Sequence, residues 1–194
     1  MKINRQLNLV QEVETDKGTL YLHSMPLSVE VWRNYFLVLS KTYAQLFAQG
    51  IHTIAGPVIA RLMLERIART DGVWEGPEGV EHGLLAEMRR LSNVLAPTGN
   101  GWDLVPYEVA LQRGLIDADA AEEMEGALVF FICLSSVLRG PKMMERLEIQ
   151  LTMLDRLWDA RNTSLDIMAF HASLQTSTPV VNSGAKMPGL LVPH

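Results

Sequence analysis

The chain has 194 residues, of which 48% are apolar and 20% charged, with a formal net charge of −5. That supply of apolar side chains suits one domain of ordinary size and excludes global disorder. The acidic balance argues against an electrostatic nucleic-acid binder, because Arg89-Arg90 is the only adjacent basic pair and Glu87 lies beside it. Cys133 is the sole cysteine, so no disulfide forms within the chain, and Met1–Asn8 lacks the apolar run of a secretory signal. A reducing compartment, the cytoplasm, is expected.

Residues 1–27 have a period of two. Leu7 and Leu9 alternate with polar neighbours, as do Leu20 and Leu22, and Thr15-Asp16-Lys17-Gly18 between them has turn composition. The pattern predicts a β-hairpin. Two strands alone are marginal in water, so the hairpin should pack on helices or add strands from a partner.

Residues 28–175 read as a helical domain. Ser28 is placed to cap a helix ending near Gly50, with Trp32, Tyr35, Phe36, Leu39, Tyr43 and Leu46 at helical spacing. Gly56-Pro57 breaks and restarts the chain. A helix over Val58–Arg69 follows, with Arg61 and Glu65 paired on its outer side, and Asp71-Gly72 ends it. Gly72–Gly83 is predicted as a loop carrying Trp74, leading into a helix over Val80–Leu95 striped by Leu84, Met88, Leu91 and Leu95. Ala96–Gly101 is the strongest breaker in the chain and the best candidate for an internal boundary, and Trp102 falls in the same predicted loop. A short helix over Pro106–Arg113 stops at Gly114. Asp117 can then cap a long helix whose first turns hold Asp119, Glu122 and Glu123, favourable against the N-terminal dipole.

Gly126–Leu138 contains no charge and is too short to cross a bilayer, which takes about 20 apolar residues. It reads as the central rod of a bundle, enclosed by other helices until Arg139-Gly140-Pro141 stops it. Beyond it, Met144, Leu147, Leu151, Leu154 and Trp158 form a seam of about two heptads, short of the three or four that define a coiled coil. Packing on the rod and self-association both remain open for this seam. Ser164–Ser173 suits a last short helix, and residues 176–194 read as an extended or mobile tail. The fold class expected is therefore mainly α: a helical bundle around an apolar helix, with an N-terminal β-hairpin and an irregular C-terminal tail.

Catalytic chemistry finds little support. Glu78, Glu81, His82 and Glu87 cluster, but helical carboxylate-bridged metal sites need Glu-x-x-His pairs on two helices, and no such pair occurs. Cys133 lies amid Phe131, Ile132 and Leu134, where burial keeps a thiol protonated. Glu122, Glu123 and Glu125 read as a solvated helix face. No nucleophile elbow, phosphate loop or dinucleotide fingerprint is present. No metal or cofactor is expected, and the chain reads as a protein that binds other proteins. Trp74 and Trp102, as large rings in predicted loops, and Val180, Val181, Leu190 and Leu191, as apolar anchors of the tail, are the partner-binding candidates.

Across nearly its whole length the chain resembles the tail assembly chaperones of long-tailed, lambda-like bacteriophages. The resemblance is carried by Lys2–Leu9, Tyr35–Tyr43, Gly83–Leu95, Glu125–Phe131, Thr163–Asp166 and Ser173–Thr178. It implies a small, helix-rich, non-catalytic protein in the cytoplasm of the infected bacterium. Such a protein binds the tape measure protein, helps recruit tail tube protein subunits and is absent from the finished virion. It also implies two forms, the longer arising by a ribosomal frameshift. The alternative within the same class is a structural virion protein of the tail-completion or connector type. An enzyme with a cryptic site and a helical regulatory adaptor are the rivals outside it.

Overall fold

The computed structural model describes residues 2–3, 8–48, 55–98, 101–137 and 167–175. The predicted hairpin is present. Strand β1 (Lys2–Ile3) pairs with β2 (Leu9–Thr15), which turns through Asp16 and Lys17 into β3 (Gly18–Ser24). Gly18, at φ 125°, occupies the positive-φ position, and the Thr15 hydroxyl donates across the turn to its carbonyl at 2.7 Å.

The mainly-α expectation is overturned. The residues expected to extend a helix to Leu95 leave it at Arg90 and become β4 (Ser92–Thr98), which pairs with β3 and then with β5 (Gly101–Pro106). The result is a five-stranded antiparallel meander in the order β1-β2-β3-β4-β5, so the protein is mixed α and β. Ala96–Gly101 is accordingly no boundary. Ala96–Thr98 belong to β4 and Gly101, at φ 135°, opens β5 opposite Thr98. Pro97 is tolerated because β4 passes its last registered partner in β3, Tyr21, at Leu95, so the missing N–H breaks no bond to β3. Since β3 pairs with β4, the N-terminal hairpin and the helical segments share one sheet.

Helix α1 (Val29–Ala48) starts where predicted, its Val31 N–H donating to Ser28 Oγ at 3.2 Å. Helix α2 (Gly56–Thr70) has Pro57 in its first turn and ends at Asp71-Gly72, with Gly72 at φ 70°. A single π-helical turn (Val80–Leu84) runs into α3 (Leu85–Arg90). Tyr35 donates to the Glu78 carbonyl at 2.9 Å and tucks against Gly83, where a side chain would collide with its hydroxyl. Helix α4 (Tyr107–Gln112) stops at Gly114. Helix α5 (Ala118–Val137) is capped by Asp117, whose carboxylate accepts the Ala120 N–H at 2.8 Å. Helix α6 (Ile167–Gln175) closes the described chain.

The rod behaves as its composition requires. Every residue from Gly126 to Ser136 is buried, and burial pushes the Cys133 thiol well above its usual range. One face of the sheet, with Leu9, Val13, Leu20, Leu22, Val94 and Val105, shares a single core with the rod, α1 and α2. Among the described residues, no helix is long and apolar enough to cross a membrane. The seam from Met144 to Trp158, the helix end near Gly50 and the tail with Val180, Val181, Leu190 and Leu191 lie outside the described residues.

Candidate protein-binding surface

Neither tryptophan proposed as a docking anchor is free to act as one. Trp74 does sit in the loop after α2, but only 3% of it is exposed. The guanidinium groups of Arg61 and Arg69 lie 4.8 and 5.0 Å from its ring centroid. Trp102 is not in a loop; it belongs to β5, is buried, and packs on Tyr21 with 5.3 Å between ring centroids. Both rings are spent on the body of the protein itself.

The charges that read as solvated or outward are drawn together. Glu125 lies between α2 and α3: it accepts Arg89 Nε at 2.9 Å and faces Arg61 Nε at 3.4 Å, with a fifth of its side chain exposed. Arg61 also reaches Glu65 at 2.8 Å, and Glu65 accepts Arg69 Nε at 2.9 Å. Hydrogen bonds from Arg69 and Arg61 hold the Glu65 carboxyl below its usual range, against a smaller opposing effect of burial. The fully buried Tyr107 phenol is pushed far upward, first by burial and then by the nearby Glu125 carboxylate. Arginines and carboxylates thus neutralise one another across α2, α3 and α5. This arrangement ties elements together and presents no activated nucleophile. His82 is exposed on the π-helical turn, and Glu122 and Glu123 are exposed on α5. Among the described residues, no group of three or more His, Cys, Asp and Glu could hold a metal ion.

The surface best suited to binding lies on α1 and α2. Helical spacing puts Ala60, Leu64 and Ala68 of α2 inward, while Val58 and Leu62 form a row on the opposite side, 67% and 60% exposed. On α1, Leu37 is 64% exposed, one turn before Lys41. Between the two helices runs a groove of about 460 Å³ lined by Ala44, Gln45, Met63, Arg66 and Ile67. Lys41 bridges to Asp71 at 2.7 Å beside it. Leu37 extends the α1 rim and Leu62 the α2 rim, so apolar side chains continue the groove along both helices. Phe36, half exposed, stacks edge-on against Trp32 nearby. Sequence reasoning gave the first helix a row of large residues at helical spacing and the second an outer Arg61–Glu65 pair, and singled out no exposed apolar side on either. The available signal was Val58 and Leu62, a pair of large apolar residues four apart on the side away from Ala60 and Leu64.

Comparison with protein-family models, curated proteins and solved structures returned no match.

Proposed function

We propose that this protein is a non-enzymatic phage tail assembly chaperone, which binds the tape measure protein and helps recruit tail tube subunits in the cytoplasm of the infected bacterium. A tape measure chain is long and helical, and before tube assembly its apolar stripe invites aggregation. The observation that supports the reading is the α1–α2 groove, continued by Leu37 on the α1 side and Leu62 on the α2 side, both exposed. A groove between two helices, edged by large apolar side chains, suits an amphipathic helix laid along it. The acidic net charge keeps the loaded carrier soluble.

Co-expression with the cognate tape measure protein tests this directly. A soluble complex is expected, and Leu37→Asp combined with Leu62→Asp should weaken it at least tenfold. Each of these side chains contributes about 1.5–3 kcal/mol when fully covered, and about 1.4 kcal/mol is already tenfold. Failure of the tape measure protein to gain solubility or to co-purify would refute the proposal. Recovery of the protein in purified virions would favour the tail-completion or connector alternative.

A further inference from the structure

The sheet has two apolar faces, and only one belongs to the main core. Strand alternation and register place Tyr21, Leu95, Trp102 and Leu104 together, opposite Leu22, Val94 and Val105. Leu95 and Trp102 are buried yet stand outside the hydrophobic cluster that α1, α2 and α5 share with the sheet. Helix α6 lies on this second face. Phe170 meets Tyr21 edge-on, with ring centroids 5.6 Å apart and planes at 80°. His171 Nε2 and Gln175 Nε2 both reach the Trp102 carbonyl, at 2.8 and 2.9 Å. Among the described residues β5 is the last strand of the sheet, so its outward carbonyls have no further described strand to accept from.

Helix α6 is an unusual tenant. Ile167–Gln175 contains no Asp, Glu, Lys or Arg, and none of its nine residues is buried. Its described hold on the sheet is shallow, one ring edge and two bonds to a single carbonyl, so the face it covers offers a site for a helix of the same chemistry that covers more of it.

We infer that the outer face of the sheet, centred on Tyr21 and Trp102, is an interaction surface for an amphipathic helix of a partner chain whose contacting stretch is uncharged, with α6 as its displaceable resident. The inference rests on the proposed function only in taking the partner to be helical. The resident helix defines the specificity: a large ring where Phe170 sits, and hydrogen-bond donors one and five positions further on for the Trp102 carbonyl. Glu12, the register partner of Tyr21, and Glu14 are exposed on the adjoining strand, so the partner carries Lys or Arg beyond its apolar stretch. A helix longer than α6 displaces it by covering more of the same face.

The test uses the full chain and a fluorescent peptide with the sequence of residues 165–177. Phe170→Asp with His171→Ala detaches the resident helix and leaves the face intact. The altered protein should bind the peptide at least tenfold more tightly than the unaltered chain, with a change in tryptophan emission. A peptide carrying Phe170→Asp should not bind. Equal affinity for both proteins, or no binding to the altered one, overturns the inference. If the altered protein does not fold, the same criterion applies to His171→Ala with Gln175→Ala, which removes only two donors. Loss of peptide binding with the tape measure complex intact sinks this surface alone, whereas peptide binding without that complex sinks only the proposed function.

Discussion

Replacing Gly126 with alanine measures how closely α2 and α5 approach. A methyl group added to a glycine inside a helix ordinarily stabilises by about 0.5–1 kcal/mol, through reduced freedom of the unfolded chain. Here the Cβ would collide with the Pro57 carbonyl oxygen, and the Pro57 carbonyl carbon lies only 3.2 Å from it. Both are backbone atoms, so no rotamer relieves the clash and the start of α2 must retreat. That retreat disturbs a second contact, since Gly56 is seated directly on the Phe130 ring of α5. Overpacking costs about 1–3 kcal/mol, and a clash with backbone that no rotamer relieves falls in the upper half of that range, which leaves a net loss of about 1–2 kcal/mol for Gly126→Ala once the ordinary gain of about 0.5–1 kcal/mol is subtracted. In a chain of this size that lowers Tm by about 2–8 °C. Urea denaturation followed by tryptophan emission should show an earlier midpoint at unchanged slope. Gly126→Val should cost more than Gly126→Ala, because the penalty is steric. Gly72 is the control: at φ 70° with no atom within 4 Å of its Cβ, alanine there pays only the conformational cost, about 1–2 kcal/mol. A Gly126→Ala protein as stable as the unaltered chain would refute the close approach of the two helices.

Two further outcomes follow from the charge network. Glu125→Ala removes the carboxylate that Arg61 and Arg89 share, leaving Arg61 with Glu65 and Arg89 with Glu108 at 3.9 Å, and the loss should be about 1–3 kcal/mol, below the 3–5 kcal/mol of a fully buried pair because both arginines keep a partner and a fifth of the Glu125 side chain meets water; a change in urea midpoint too small to measure would contradict the network. Glu65 and Glu87 have folded pKa values below their ordinary 4.5, the first through bonds from Arg69 and Arg61 and the second through bonds from Arg90. A carboxyl lowered in this way stabilises the fold above its unfolded pKa, and the contribution fades as pH falls through the folded value. Stability should therefore decline below about pH 4.5, and Glu65→Gln should flatten that decline in thermal melts run across pH 3–6; an unchanged slope would count against the pairing.

Punctuation was the legible part of this fold. Ser28, Pro57, Gly72, Gly114 and Asp117 mark boundaries that the structure keeps, because each acts through local backbone chemistry. The hairpin over β2 and β3 was legible for the same reason, and the charge-free run of α5 could only be interior. Strand β4 was not legible. Ser92, Val94, Leu95 and Ala96 are all buried, so both faces are covered and the period-two alternation vanishes. Its Leu95 then falls four residues after Leu91 and completes a false helical row begun by Leu84 and Met88. With β4 missing, β5 had no partner and Trp102 fell into a loop. The candidate surface was hidden for another reason: whether Leu37 or Leu62 is covered depends on which elements settle beside α1 and α2, and no local pattern states that.

The order in which a ribosome makes these parts has a cost. The core-facing side of β2 and β3, with Leu9, Val13, Leu20 and Leu22, emerges first, yet it packs in one core with α5, which ends at Val137. At about 5–20 residues per second, synthesis leaves those leucines bare for on the order of ten seconds. Strand β3 likewise waits for β4, joined to it by a bond from Ser92 to Ser24 across an interval that holds α1, α2 and α3. A protein proposed to shield a sticky polypeptide thus spends its own infancy as one, and its yield in cells should depend on chaperones that meet the chain at the ribosome.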